Sequence, residues 1–344
     1  MPRATIDDVA ELAGVSIKTV SRVVNREPNV TDATRAKVEK AIAKLGYRPN
    51  LSARNLASDR ARLIVLVYDD PGAYELPSAG YIIRMQSGVL AACRKADYRL
   101  IIHPCNYQSR DIGAELTALI DYTRPQGIVL AAPLSNMSKI VNAIVATGTP
   151  MVRLSPGSHG GPLFAVATND REVSAEMTRY LASLGHRRIA FIKGHPSHKA
   201  VGNRYLGYLD GLTQSGLQPD ERLVVDGDNS FGAGEAAGDR LLDARNPPTA
   251  IFAANDDMAA GVIRAAALRG IDIPGQLSVA GCDDISLARQ VCPTLTTIRQ
   301  PLSDMAERAA TLLIGQGGKE PLPAGEEIVM AEIRFRESTG PAPR

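Results

Sequence analysis

The chain has 344 residues, which exceeds the usual size of about 100–200 residues for one domain, so we expect two or three compact units. Its 44% hydrophobic and 22% charged residues exclude a collagenous, low-complexity or largely disordered protein. No run of about 18 apolar residues occurs, and charged residues interrupt the amino-terminal segment. We therefore expect no membrane span, no export signal and a cytoplasmic protein.

Cysteine spacing bears on metal binding and redox chemistry. The four cysteines form no C-x-x-C pair and no evident His/Cys cluster, so we expect reduced, buried thiols, no disulfide, no zinc site and no cofactor. They are Cys93, Cys105, Cys282 and Cys292.

The net charge of +2 is unevenly distributed along the chain. Residues 1–62 carry 12 basic and 7 acidic residues, whereas the remainder carries 27 basic and 30 acidic residues. This asymmetry favours a small nucleic-acid-binding head on a nearly neutral body, although a basic solvated surface would produce the same pattern.

The amino-terminal segment has the pattern of a helix-turn-helix. Thr5 can cap a first helix with apolar residues at helical spacing, Gly14 breaks the pattern, and Ser16 can cap a second helix. A third helix is expected to begin near Thr31 and to end at Gly46. The second helix would expose hydroxyls, cations and one apolar tip, a mixture that suits the DNA major groove.

A short helix is predicted to follow Pro49 and Asn50. It would have barely two turns, so it needs a partner to fold, and the DNA minor groove could provide one. Asn50 and Arg54 could meet backbone or base edges there, and Leu56 could act as an apolar wedge. A polar linker is the alternative interpretation.

The span from Thr5 to Ser58 resembles the headpiece and hinge of LacI/GalR-family transcriptional regulators. It carries the pattern VA-x-x-AGVS-x-x-TVSRV-x-N, followed by Y-x-PN-x-x-A-x-x-L. The resemblance implies a homodimer on a near-palindromic double-stranded operator. The implied base contacts are Ser16, Ile17, Lys18 and Arg22. The implied backbone contacts are Thr5, Thr19, Ser21, Asn25, Thr34 and Tyr47. The implied minor-groove hinge residues are Asn50, Ala53, Arg54 and Leu56.

Beyond residue 62, strand-length apolar runs alternate with helical patterns. This alternation predicts βαβ units in two doubly wound parallel-sheet lobes, so the fold class is α/β with a small all-α head. The predicted strands are 63–68, 100–103, 127–131, 151–154, 164–167, 188–192, 223–225, 250–253 and 277–280. The predicted helices are 85–95, 112–122, 172–184, 205–215, 235–244 and 258–269.

Ligands of open α/β sheets bind beyond the carboxyl ends of the strands, where this chain has many polar residues. Asn255 and Asp256 stand at such a position and could contact a ligand or cap the following helix. The acid pairs at 256–257 and 283–284 do not predict an enzyme, because adjacent carboxylates point in different directions and glycosidases need them facing across about 5–10 Å. An exported sugar-binding protein is disfavoured by the basic head and by the missing signal peptide.

The body also resembles the family's effector-binding core, which is similar to periplasmic sugar-binding proteins. The motifs are SLGHRRIAFI from Ser183, AIFAANDDMAAGVIRA from Ala250, PGQLSVAGCDD from Pro274 and PTLTTIRQP from Pro293. The resemblance implies a head at 1–48, a hinge helix and linker at 49–61, an N-terminal lobe at 62–165 plus 293–320, and a C-terminal lobe at 166–292 plus 321–340.

The same resemblance implies how the last segments cross between the lobes. The strand at 295–298 and the helix at 304–314 would return to the N-terminal lobe, and 328–335 would return to the C-terminal lobe.

The resemblance also assigns the effector site. Its implied residues are Arg204, Asp283, Asn255, Tyr81, Asn136, Arg153 and Phe231. With no Trp and 4% aromatic residues, the chain favours a sugar or glycoside over a stacked purine base. We therefore expect a repressor of carbohydrate-utilisation genes that a sugar-like inducer releases from DNA. The alternative is a regulator that needs a co-repressor or partner protein to bind DNA.

Overall fold

The computed structural model describes residues 4–24, 29–47, 61–70, 79–157, 163–317 and 322–343. The chain divides into two compact units, Met1–Ala61 and Arg62–Arg344. Among the described residues, no helix is both long enough and apolar enough to cross a membrane. Asn25 and the predicted hinge residues Asn50, Ala53, Arg54 and Leu56 lie outside the described residues.

The first unit contains the predicted helices, α1 (Ile6–Ala13), α2 (Ile17–Val24) and α3 (Asp32–Leu45). Local signals set their ends. Thr5 and Asp8 form a reciprocal capping box at α1, and Thr31 caps α3 by accepting from the backbone N–H of Thr34. Gly14 and Gly46 end α1 and α3 with φ angles of 63° and 60°, where a Cβ would add strain.

A small apolar core holds the three helices together, as expected for a helix-turn-helix. Its buried members come from all three helices. They are Val9, Ala10, Val20, Val23, Val38 and Ala41.

The second unit contains two six-stranded sheets. The first has the order β11-β5-β4-β3-β1-β2. Its strands are β1 (Ala61–Asp69), β2 (Arg99–Cys105), β3 (Pro125–Leu130), β4 (Met151–Leu154), β5 (Ala165–Ala167) and β11 (Glu326–Ile328). Its helices are α4 (Ala79–Lys95), α5 (Ile112–Thr123), α6 (Ser138–Ala146) and α11 (Leu302–Gly315). We call this sheet with its helices the first lobe.

The second sheet has the order β12-β10-β9-β8-β6-β7, in which only β12 is antiparallel to its neighbour. Its strands are β6 (Ile189–Ile192), β7 (Val224–Val225), β8 (Ala250–Ala253), β9 (Ser278–Cys282), β10 (Thr296–Arg299) and β12 (Glu332–Arg334). Its helices are α7 (Asp170–Ser183), α8 (Lys199–Gln214), α9 (Phe231–Leu242) and α10 (Asp256–Leu268). This sheet with its helices is the second lobe.

The carboxyl-terminal strands differ from the prediction. The strand expected at 295–298 in the first lobe is β10, which pairs with β9 in the second sheet. The segment expected at 328–335 in the second lobe is divided, because β11 pairs with β5 in the first sheet and β12 pairs with β10 in the second. The first sheet also continues through residue 167. In the described part of the chain three segments cross between the lobes, after β5, after β10 and after β11.

Two further differences concern local elements. Helix α6 was not predicted; Ile140, Val141 and Ile144 have helical spacing, but their β-branched side chains lower the helix propensity of the segment. Cys292 is exposed, whereas Cys93, Cys105 and Cys282 are buried as predicted.

Candidate ligand cleft and nucleic-acid interface

A cavity of about 570 Å³ lies between the two lobes, beyond the carboxyl ends of their parallel strands. This volume is within the range of small-molecule sites. Four of the predicted effector residues line it, namely Tyr81, Arg204, Asn255 and Asp283. Further polar lining residues include Asp69, Tyr107, Ser155, His195, Ser197 and Asp228.

Arg204, on α8, is the centre of a buried charge network in the second lobe. Its side chain is 7% exposed, and its Nε donates to Asp170 Oδ1 at 2.9 Å. One terminal nitrogen donates to the backbone oxygen of Ala254 and lies 3.7 Å from Asp283 Oδ1. Each of these partners follows a strand or begins a helix at the cleft, so the network holds the guanidinium in place without a ligand.

Asp283 directly follows β9 and has an unusual backbone conformation. Its φ is 119°, and its backbone N–H donates to the carbonyl of Ile298 on the neighbouring strand β10. Gln300 donates to its carboxylate. Burial raises the pKa of Asp283 to about 7, although the nearby Arg204 opposes this shift. The tertiary structure therefore directs a carboxyl group into the cavity from a strained turn.

Asn255 combines two roles that the sequence left open. Its Oδ1 accepts from the backbone N–H of Met258 and so caps α10, while its Nδ2 donates to the carbonyl of Asn229. It also lines the cavity. The adjacent Asp256 is fully buried and accepts from Thr297 and from the backbone of Ile285, so it connects α10 to the sheet.

The first lobe contributes tyrosines, a serine and a carboxyl group to the opposite wall. Tyr81 lies on α4, where burial raises the pKa of its hydroxyl, and the buried hydroxyl of Ser155 has no hydrogen-bond partner among the residues that the structure describes. Asp69 ends β1 and accepts from the backbone N–H of Tyr107, and burial raises the pKa of this carboxyl group to about 6. A hydroxyl can both donate and accept hydrogen bonds, and a carboxyl group can do so when it is protonated.

Among the described residues, direct hydrogen bonds connect the two lobes across the cleft, and one of them runs from Asn203 Nδ2 to the carbonyl of Gly157 at 3.3 Å. Tyr107 and His195 share a hydrogen bond of 3.3 Å, and Arg84 of α4 donates to the backbone oxygen of Asp283 at 2.9 Å. Asn136 donates to the carbonyl of Ser197 at 3.4 Å. Sequence reasoning missed Tyr107 and His195, although both come shortly after strands, where the rule for open sheets would have found them.

Three predicted effector residues do not line the cavity. Asn136 instead makes the interlobe contact with Ser197. Arg153 lies within β4 and makes a long 3.4 Å contact with the carbonyl of Leu163. Phe231 is the first residue of α9 and is 38% exposed, although Asp228, Asn229 and Ser230 just before it do line the cavity.

The first unit presents α2 as a candidate DNA-reading surface. Ser16, Ile17 and Lys18 are exposed at its beginning, and Arg22 is partly buried one turn later. Ser16 Oγ also accepts from the backbone N–H of Thr19, so one of the predicted base readers caps the helix. Thr5 and Thr34, both predicted backbone contacts, likewise occupy helix starts, where N–H groups attract phosphate.

The geometry defines a class of protein, one that combines a helix-turn-helix with a two-lobed ligand domain. Comparisons with known families agree. Residues 5–50 match the bacterial regulatory proteins of the lacI family, and residues 178–339 match the periplasmic binding protein-like domain.

Full-length relatives identify the family. The chain is 33% identical to the HTH-type transcriptional regulator GalR of Escherichia coli (strain K12), over 97% of this chain and 95% of GalR. It is 32% identical to the HTH-type transcriptional regulator DegA of Bacillus subtilis (strain 168), over 98% and 99%. The Lac repressor dimer bound to operator and the anti-inducer ONPF is similar at 26% identity, covers 98% of this chain and all of that chain, and has a TM-score of 0.82.

The chain belongs to the LacI family of bacterial transcriptional regulators. A solved CelR-cellobiose complex, 29% identical with a TM-score of 0.75, also covers 98% of this chain and 100% of its own. These relatives are transcriptional regulators.

Proposed function

We propose that this protein is a cytoplasmic repressor of carbohydrate-utilisation genes that binds a near-palindromic operator as a homodimer and is released by a small hydroxylated ligand. The observation that carries the proposal is the cleft, in which Arg204 and Asp283 meet at a cavity of about 570 Å³. A guanidinium and a carboxylate side by side offer the donors and acceptors that adjacent sugar hydroxyls require.

The assignment of the ligand to a sugar or glycoside rests on the lining residues. Carboxyl, amide, hydroxyl and guanidinium groups line the cavity beside apolar side chains such as Ile82 and Val201. Its tyrosines are Tyr68, Tyr81 and Tyr107. The Nδ2 of Asn255 is already used by Asn229, so we expect Arg204 and Asp283 to make the main polar contacts. The cellobiose of the CelR complex supports this ligand class.

DNA recognition is assigned to α2. Ser16, Ile17, Lys18 and Arg22 would contact base edges in the major groove, where Lys and Arg recognise guanine and an apolar side chain meets a thymine methyl. Ile17 suits the last role, because it is 48% exposed although apolar. Thr5, Thr19, Ser21, Asn25, Thr34 and Tyr47 would contact phosphates, and Asn50, Ala53, Arg54 and Leu56 would contact the minor groove.

Ligand binding would act by population shift. A ligand held by both lobes favours one interlobe arrangement over another, and the operator favours the arrangement in which the two hinge segments of the dimer lie together. The two ligands then weaken each other by the same coupling free energy.

Fluorescence anisotropy on the DNA upstream of the protein's own gene tests the proposal. We expect tight binding that weakens steeply with salt, and loss of binding on addition of one sugar from a panel of mono- and disaccharides that includes cellobiose. Lys18→Ala should weaken operator binding by about 1–3 kcal/mol, whereas Lys44→Ala, an equal charge change at the end of α3, should change it much less.

Each contrary result has a distinct meaning. If the protein bound DNA only in the presence of a sugar, the sugar would be a co-repressor and not an inducer. Failure to bind any palindromic DNA, or equal effects of the two lysine substitutions, would overturn the assigned DNA-reading surface.

A further inference from the structure

Three metal-ligating side chains lie together in the first lobe, outside the cavity. His103 and Cys105 belong to β2, and Glu115 belongs to α5. One ligand atom from each lies within 4.8 Å of the other two. His103 Nε2 and Glu115 Oε1 are already 2.8 Å apart.

The fold explains why these residues meet. Successive side chains of a strand point to opposite faces, so His103 and Cys105 share a face of β2, which is an edge strand of the first sheet. Helix α5 covers this face, since Leu116 beside Glu115 packs in the same core cluster as Cys105. The cluster therefore rests on two regular elements and not on a mobile loop.

The three residues differ in exposure in a way that suits an accessible ion. Cys105 is 4% exposed, while the side chains of His103 and Glu115 are 22% and 45% exposed. Within the part of the chain that the structure describes, the Cys105 thiol makes no hydrogen bond. A thiol at the bottom, with an imidazole and a carboxylate above it, leaves a route from solvent to the ligand atoms.

The electrostatic surroundings also favour a cation. The carboxylates of Glu115 and Asp69 both act electrostatically on the Cys105 thiol. Asp69 lies directly opposite Cys105 in the pairing of β1 with β2. Two acidic groups therefore lie close to the thiol, and a bound cation would offset their repulsion.

We propose that His103, Cys105 and Glu115 bind a divalent transition-metal ion of the zinc class. Thiolate, imidazole and carboxylate are the three ligand types that Zn²⁺ uses, and three protein ligands with water in the fourth position form a common tetrahedral set. In such a set the ligand atoms lie about 3–4 Å apart, so side-chain rotations that move the ligand atoms by roughly 1 Å would complete the site. Mg²⁺ and Ca²⁺ prefer ligand sets made of oxygen atoms, so the sulfur and nitrogen ligands of this set disfavour them.

Titration of the full-length protein with Zn²⁺ against a chromogenic chelator tests the proposal. We expect one equivalent of zinc per chain, and at least a tenfold loss of affinity in His103→Gln, Cys105→Ser and Glu115→Gln. Because Cys105 is in the core, the two partly exposed substitutions keep the test valid if Cys105→Ser folds poorly. Cys93→Ser and Cys292→Ser are matched controls, one buried and one exposed, and should bind zinc as tightly as the unmodified protein.

Cobalt provides a second measurement. Co²⁺ bound at this site should show a thiolate-to-cobalt charge-transfer band that disappears in Cys105→Ser and remains in both cysteine controls. Less than one equivalent of bound zinc, equal losses in a control variant, or a cobalt spectrum without the thiolate band would each overturn the proposal.

Discussion

The two walls of the cleft are built differently. The second-lobe wall is a buried network of charges, in which Arg204 contacts Asp170 and Asp283 and in which Gln300 fixes Asp283. The first-lobe wall presents Tyr81 with other hydroxyls and one carboxyl group of raised pKa. The second wall is thus organised before a ligand arrives, whereas the first has fewer internal charge contacts.

We infer from this difference that the two walls have different roles. Buried charges are costly to rearrange, so the second wall suits selection of the ligand by fixed geometry. The two lobes are joined across the cleft by individual hydrogen bonds of Arg84, Tyr107, Asn136 and Asn203, which a modest change in free energy can break. We expect ligand specificity to depend on the second wall and the interlobe equilibrium on the contacts of the first.

The largest expected effect is that of Arg204→Met on stability. The substitution leaves Asp170 and Asp283 buried without their cation, so the free energy of unfolding should fall by about 3–5 kcal/mol. Urea denaturation measures this loss. Arg153→Met in the first lobe is the control and should cost less, because Arg153 is partly exposed and, within the described residues, makes one long hydrogen bond and has one acidic neighbour, Glu326. Equal losses would remove the contrast between the walls.

Asp283→Asn should have the next largest effect, measured on the ligand response. The amide retains the size of the side chain but loses the charge that faces Arg204, so sugar affinity should fall by about 1.5–3 kcal/mol. Anisotropy should find operator affinity within about twofold of the unmodified protein. An unchanged sugar response would remove Asp283 from the ligand site.

The same variant should alter the pH dependence of stability. The folded pKa of about 7 is above the ordinary aspartate value of 3.8, so the native carboxyl group binds its proton more tightly than the unfolded one. Its contribution to stability is complete below about pH 4 and is lost as the pH rises to 7. Relative to the unmodified protein, Asp283→Asn should therefore gain free energy of unfolding across this interval in urea titrations. A difference that stays constant with pH would contradict the raised pKa.

The smallest expected effect is that of Tyr81→Phe in the first wall. Loss of one hydroxyl should weaken sugar binding by about 0.5–1.5 kcal/mol without changing the unfolding free energy appreciably. Isothermal titration with the inducing sugar measures it. Tyr122→Phe, an exposed tyrosine at the end of α5, is the control and should have no effect. A loss as large as that of Asp283→Asn would show that the two walls contribute equally.

Much of the fold was predictable because its signals are local. In the first unit, helices α1 and α3 begin at caps formed by Thr5 and Thr31 and end at Gly14 and Gly46. These hydrogen bonds and φ angles are set within a few residues. The buried strands β1, β3, β4 and β8 coincide closely with apolar runs of strand length. The fold class could therefore be predicted from the sequence.

Contacts between distant segments were harder to predict from the sequence. The sheet that β10 joins depends on its pairing with β9, and nothing in its own four residues distinguishes one lobe from the other. Tyr107 and His195 are 88 residues apart, so their contact across the cleft has no local signal.

The amino-acid sequence by itself determined the helix-turn-helix, the two α/β lobes and the family, because caps, periodicity and long motifs are properties of neighbouring residues. Only the tertiary structure decided which lobe each carboxyl-terminal strand joins, that Asp256 connects α10 to the sheet, and that Glu115 approaches His103 and Cys105. Those outcomes follow from sheet pairing and helix packing, which bring together side chains that the linear order keeps apart.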